Sequence, residues 1–115
     1  MIVDRKIMRK ITDKQKKKNE ERKKDTLKQV EFFLLIWSKR KHNSQVSGKW
    51  LGKEPLSTFF HHILSKERVP EARYDEDNII LLTFEEHETV ENNPHAFPII
   101  NEMREKLKIK YDKYY

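Results

Sequence analysis

Ser57-Thr58-Phe59-Phe60-His61-His62-Ile63-Leu64 and Asn78-Ile79-Ile80-Leu81-Leu82-Thr83-Phe84-Glu85-Glu86-His87 are the two passages on which the reading of this chain turns. The first is rich in aromatic and β-branched residues and predicts a strand. The second opens with a short apolar run, Asn78 to Leu82, that predicts another. Thr83 then suits a helix N-cap with Glu86 at the capping-box position, for a helix running to about Glu91. Asn92-Asn93-Pro94 stops it. Between the strands, residues 65–77 read as a polar loop containing Pro70. The order is strand, loop, strand, helix, with two adjacent histidines on the first strand and one on the helix. The class expected is α+β.

Outward from this centre, residues 42–55 hold Asn43, Ser44, Ser47, Gly48, Gly52 and Pro55, a run of turn formers that includes both glycines of the chain. Upstream, Asp13 to Lys41 contains neither Gly nor Pro and predicts one long helix, with Thr12 or Asp13 as its cap. Its first half, Lys14 to Lys24, is almost wholly polar. Its second half carries Leu27, Val30, Leu34 and Trp37 at helical spacing, widened by Phe33 and Ile36. The second half should dock on the body, and the first should project into solvent or along a ligand. The first dozen residues read as a short, frayed basic lead. A C-terminal amphipathic helix is expected from Pro98 to Tyr111, with Ile99, Ile100, Met103, Leu107 and Tyr111 inward. The chain thus divides into a basic arm and helix, 1–41, and a body, 42–115.

Charge sharpens that division. Residues 1–41 hold 15 Lys/Arg against 6 Asp/Glu, a net of +9, whereas residues 42–115 hold 10 against 13, a net of −3. A basic arm on a mildly acidic body suits a protein that meets a polyanion, because phosphate contacts give sequence-independent affinity. A solvated helix that keeps the protein soluble has the same composition. With no cysteine there is neither a disulfide framework nor a thiolate metal site. No apolar run approaches the roughly 18 residues of a membrane span, and the N-terminus has no signal-peptide h-region, so a cytoplasmic protein is expected.

The two quoted passages resemble the HNH, or His-Me finger, nuclease motif of small phage and prophage proteins. So do Pro70-Glu71-Ala72-Arg73-Tyr74 in the loop and the lead-in Phe32-Phe33-Leu34-Leu35-Ile36-Trp37. The resemblance spans roughly residues 27–93. It implies a ββα-metal core flanked by the basic helix and the C-terminal helix. It also implies a division of labour: His61 as metal ligand, His62 as general base, Asn78 fixing the loop behind the base, and His87 as the helix-borne ligand. Glu91 lies at i+4 from His87 and adds an oxygen donor. The cofactor implied is one divalent cation, with Mg²⁺ first and Mn²⁺, Ni²⁺ or Zn²⁺ as alternatives. Chemically, phosphodiester hydrolysis needs a deprotonated water and a cation against the phosphate, and an imidazole with an ordinary pKa of ~6.5 can take the water's proton. Neighbouring strand residues point to opposite faces, so His61 and His62 cannot share one task unless the strand end twists.

Many relatives of this type carry two Cys-x-x-Cys knuckles that bind a structural zinc. The matching positions here are Ser44, Ser47, Thr83 and Glu86. No structural zinc is expected. Hydrogen bonds among these four positions should replace it, with packing by Trp37, Trp50, Phe59 and Phe84. Phosphate contacts are expected from the N-terminal Lys/Arg cluster and from Lys49, Lys53, Lys66, Arg68 and Arg73. Three functions follow: a metal-dependent DNA endonuclease in the host cytoplasm if phage-encoded, a non-cleaving DNA-binding module in phage recombination or packaging, and a module that docks a host protein through its basic helix. Salt-sensitive DNA binding separates the first two from the third, and metal-dependent cutting separates the first from the second.

Overall fold

The computed structural model describes residues 13–115. The frayed basic lead and the choice of Thr12 or Asp13 as helix cap lie outside the described residues. The chain forms two units, Met1–Glu31 and Phe32–Tyr115. The described part of the first is a stretch of helix whose residues are nearly all exposed. It belongs to helix α1, Asp13–Lys39, built from Lys, Arg and Glu with good helix propensity and no Gly or Pro.

In the second unit the last turns of α1 enter the core through Phe32, Phe33, Ile36 and Trp37. This corrects the expected stripe: Leu27, Val30 and Leu34 are 64%, 49% and 48% exposed. The run Phe32 to Trp37 is apolar all the way round the helix, so periodicity cannot select a face. Packing selects it. Phe33 stacks on Phe60 with ring centroids 4.4 Å apart, and Phe32 meets Tyr74 edge-on at 5.6 Å. The helix ends two residues earlier than expected because Arg40 turns inward and donates to the Glu76 and Ile79 carbonyls, each at 2.7 Å.

Strands β1, Phe60–His62, and β2, Ile79–Leu81, pair antiparallel with Phe60 opposite Leu81, His61 opposite Ile80 and His62 opposite Ile79. The first strand is shorter than residues 57–64 because Ser57–Phe59 closes into a 3₁₀ turn. Alternation along β2 sends Ile79 and Leu81 into the aromatic cluster with α1, and Ile80 and Leu82 into a second cluster with Val90, Ile100 and Leu107. All four are fully buried, which explains why this strand reads as an unbroken apolar run. Each such side chain stabilises the fold by roughly 1.5–3 kcal/mol.

Residues 63–78 are more ordered than a polar loop, with 3₁₀ turns at Pro70–Ala72 and Glu76–Asn78. Helix α2, Phe84–Asn92, starts with the expected capping box: Thr83 accepts from the Glu86 backbone and Glu86 accepts from the Thr83 backbone. Helix α3, Pro98–Lys110, buries Ile100 and Leu107, with Met103 and Tyr111 packed against the same cluster. Ile99 is not inward as expected but 41% exposed, one residue round the helix from the Ile100–Met103–Leu107 face. Nor do Trp50 and Phe84 pack as expected: they are 67% and 49% exposed. Leu51 takes the core position beside Trp50, while Trp37 and Phe59 are buried as expected. No described helix is long and apolar enough to cross a membrane.

Candidate metal centre

β1 ends in two histidines, and α2 runs beside it with its capped end fixed and Val90 buried beneath. His87 and, one turn on, Glu91 therefore meet His61. The Glu91 carboxylate lies 3.1 Å from His87 Nε2 and 3.8 Å from His61 Nδ1, and the His61 and His87 rings meet edge to face at 5.1 Å. One donor atom from each of the three residues falls within 4.8 Å of the others.

Two imidazoles and a carboxylate are a donor set that could hold a divalent cation. His87 Nδ1 lies 2.6 Å from the Thr58 carbonyl, which can only accept. Nδ1 therefore donates to that carbonyl, and Nε2 is the nitrogen turned to the Glu91 carboxylate. A backbone carbonyl on the far nitrogen is the usual support of a metal-bound histidine. His61 is suited to the same role. Burial, reinforced by the charges of His87, His62 and Arg104, pushes its pKa down to about 4, so at neutral pH it carries a free lone pair.

His62 differs. Its Nε2 lies 3.0 Å from the Arg73 carbonyl, so that nitrogen holds the proton and Nδ1 is bare. Burial lowers its pKa, against the opposing pull of the Arg73 carbonyl, and this favours the neutral base. The loop that presents Arg73 is tied at both ends. Asn78, fully buried, accepts from Leu64 N at 2.7 Å and donates to the Leu64 and Ala72 carbonyls at 3.0 and 3.1 Å. Asp75 accepts from Lys110 at 2.7 Å and from the Tyr111 hydroxyl at 2.5 Å. Although His61 and His62 alternate across β1, both border one cleft of about 220 Å³, because the strand ends there.

Sequence reasoning missed Arg104, which lines the same cleft from α3. Its guanidinium donates to Asn101 Oδ1 at 2.9 Å and the Pro94 carbonyl at 2.6 Å, with His95 Nδ1 at 3.5 Å. These contacts engage three of its five N–H donors. Nothing in the local sequence marks it, because its place beside His61 comes from α3 packing on the second core cluster. The proposed phosphate contacts scatter. Lys66 and Arg73 stand close enough to His62 to act on its charge. Arg68 is turned to the C-terminus, 4.7 Å from the Tyr115 ring, and Lys49 is exposed in the turn after Ser44. A roomier hollow, about 440 Å³, lies elsewhere between Arg40 and Lys106 and contains no imidazole.

Ser44, Ser47, Thr83 and Glu86 also come together. Ser44 Oγ donates to Glu86 Oε1 at 2.5 Å and accepts from the Val46 and Ser47 amides at 3.1 Å. Gly48, at φ 76°, closes the turn that presents them. Burial would raise the Glu86 pKa, but hydrogen bonds from Ser44, Thr83 and Ser47 outweigh it and hold the carboxyl below its usual range. No protein-family model, curated protein or solved structure matches the chain.

Proposed function

We propose that this chain is a metal-dependent DNA endonuclease with an HNH-type ββα-metal core. The observation that carries the proposal is the meeting, at the end of one strand, of the His61, His87 and Glu91 donor atoms, within 4.8 Å of one another, with a histidine whose Nδ1 is bare and whose Nε2 is held. The strand–strand–helix order and the placing of His61, His62 and His87 on it support the family reading. A divalent cation held by His61, His87 and Glu91 would supply positive charge against the scissile phosphate.

His62 Nδ1 takes a proton from water as the water oxygen bonds to phosphorus. The Arg73 carbonyl holds Nε2–H and so keeps the base in the right tautomer. Arg104 pairs its guanidinium with a non-bridging phosphate oxygen. The phosphorus–O3′ bond breaks, O3′ takes a proton from solvent, and the ends are a 5′-phosphate and a 3′-hydroxyl. Asn78 is a positioning residue that holds the loop carrying Arg73. The exposed basic helix gives sequence-independent attraction to the duplex.

The test is nicking of supercoiled plasmid by the wild type and His62→Ala in Mg²⁺, Mn²⁺, Ni²⁺ and EDTA. Metal-dependent nicking lost in the variant supports the proposal. Tight, salt-sensitive DNA binding without cleavage under any metal would instead favour a non-cleaving DNA-binding module.

A further inference from the structure

Two hollows meet at Glu91, and their chemistry differs. The cleft of His61 and His62 is imidazole-lined and carries one guanidinium, Arg104. The second, about 350 Å³, borders His87 and Glu91 and is completed by Phe84, Glu88, Asn92 and Thr58. It has no Lys or Arg in its lining, so a phosphate is repelled from it. Carboxylates and an amide instead suit a neutral group edged with N–H donors. Phe84, the first residue of α2, lines it and is half exposed. An aromatic face beside hydrogen-bonding groups is how proteins hold a nucleobase. The volume lies near the lower end of ligand pockets, about 300–1,000 Å³, enough for one nucleoside.

Resting on the nuclease reading, we infer that this second hollow binds an unpaired nucleobase next to the cleaved phosphate. Phe84 is the stacking platform, and Glu88 and Asn92 meet the base edge. Because His87 and Glu91 border both the hollow and the metal group, a base stacked on Phe84 brings its own backbone to the cation within one nucleotide. A base inside an intact duplex cannot reach the ring. The substrate class is therefore DNA with an unpaired nucleotide at the cut: bulged, gapped or single-stranded.

The test uses the full chain with Mn²⁺, on a duplex and on the same duplex with one bulged 2-aminopurine. The wild type should cut the bulged DNA roughly tenfold faster or more, the scale of one base–aromatic stack. In Phe84→Ala the bulged-to-duplex ratio should fall to near one, and Phe84→Tyr should retain it. Fluorescence read in EDTA, without cleavage, should show quenching of the bulged base by the wild type and Phe84→Tyr but not by Phe84→Ala. Equal cutting of both DNAs by wild type and Phe84→Ala, with no difference in quenching, would overturn the inference and leave the nuclease standing. Quenching that depends on Phe84 with no cleavage of either DNA would support the base site and overturn the nuclease.

Discussion

Helix α2 carries two clusters that look alike in composition and differ in kind. At its first turn Glu86 is met by donors alone: the Ser44 hydroxyl, the Thr83 amide and the Ser47 side chain. Five residues on, Glu91 faces only imidazole nitrogens, one of them already committed by its far side to a carbonyl. The first cluster is complete in itself. The second gathers a carboxylate and two imidazole nitrogens, a donor set that could hold a cation. Hydrogen-bond partners, more than residue type, separate a structural polar cluster from a candidate site.

The largest test of this contrast is kinetic. His62→Ala should lower DNA cleavage by about 10²–10⁴-fold, the usual contribution of a general base. Ser44→Ala should leave the rate of the folded fraction unchanged in the same single-turnover assay. If both variants lost activity alike, the clusters would not be separable.

Equilibrium unfolding in urea should reverse the ranking. Glu86→Ala strands Ser44 and the Thr83 amide and should cost about 1–3 kcal/mol. Glu91→Ala removes an exposed carboxylate that meets only the His61 and His87 rings and should change stability by about 0.5 kcal/mol or less. A larger loss at Glu91 than at Glu86 would break the comparison.

Acid should act on the first cluster. The folded pKa of Glu86 is held below its ordinary value. Its contribution to stability is therefore full above the unfolded carboxylate pKa of ~4.3 and is lost as pH falls from there through the lower folded value. Asp75 adds in the same direction, since Lys110 and Tyr111 outweigh its burial. Glu86→Gln should flatten the acid limb of a plot of melting temperature against pH. An unchanged limb would remove Glu86 from the account. The smallest expected effect is at Lys66: Lys66→Ala should reduce the salt slope of DNA binding by about one.

How far the sequence was legible follows the same division. The capping box at Thr83 and Glu86 and the apolar run of β2 are local signals, and each was readable; that His61 and His87 belong together was implied only by the family resemblance. The docking face of α1 was not, because Phe32 to Trp37 is apolar on every side and only Phe60 and Tyr74 decide it. Arg104 was invisible for a related reason: its position depends on where α3 lands. Trp50 and Phe84 show the limit of hydrophobicity as a guide, since both are large, apolar and exposed. The exposed ring of Phe84 acquires meaning only from the hollow beside it.

The most direct measurement is a calorimetric titration of the full chain with Mn²⁺. One site per chain is expected in the wild type, no site in the His61→Ala/His87→Ala double variant, and an unaltered site in Glu86→Gln. Stoichiometric binding that survives the double histidine substitution, or that disappears in Glu86→Gln, would contradict the proposed metal centre.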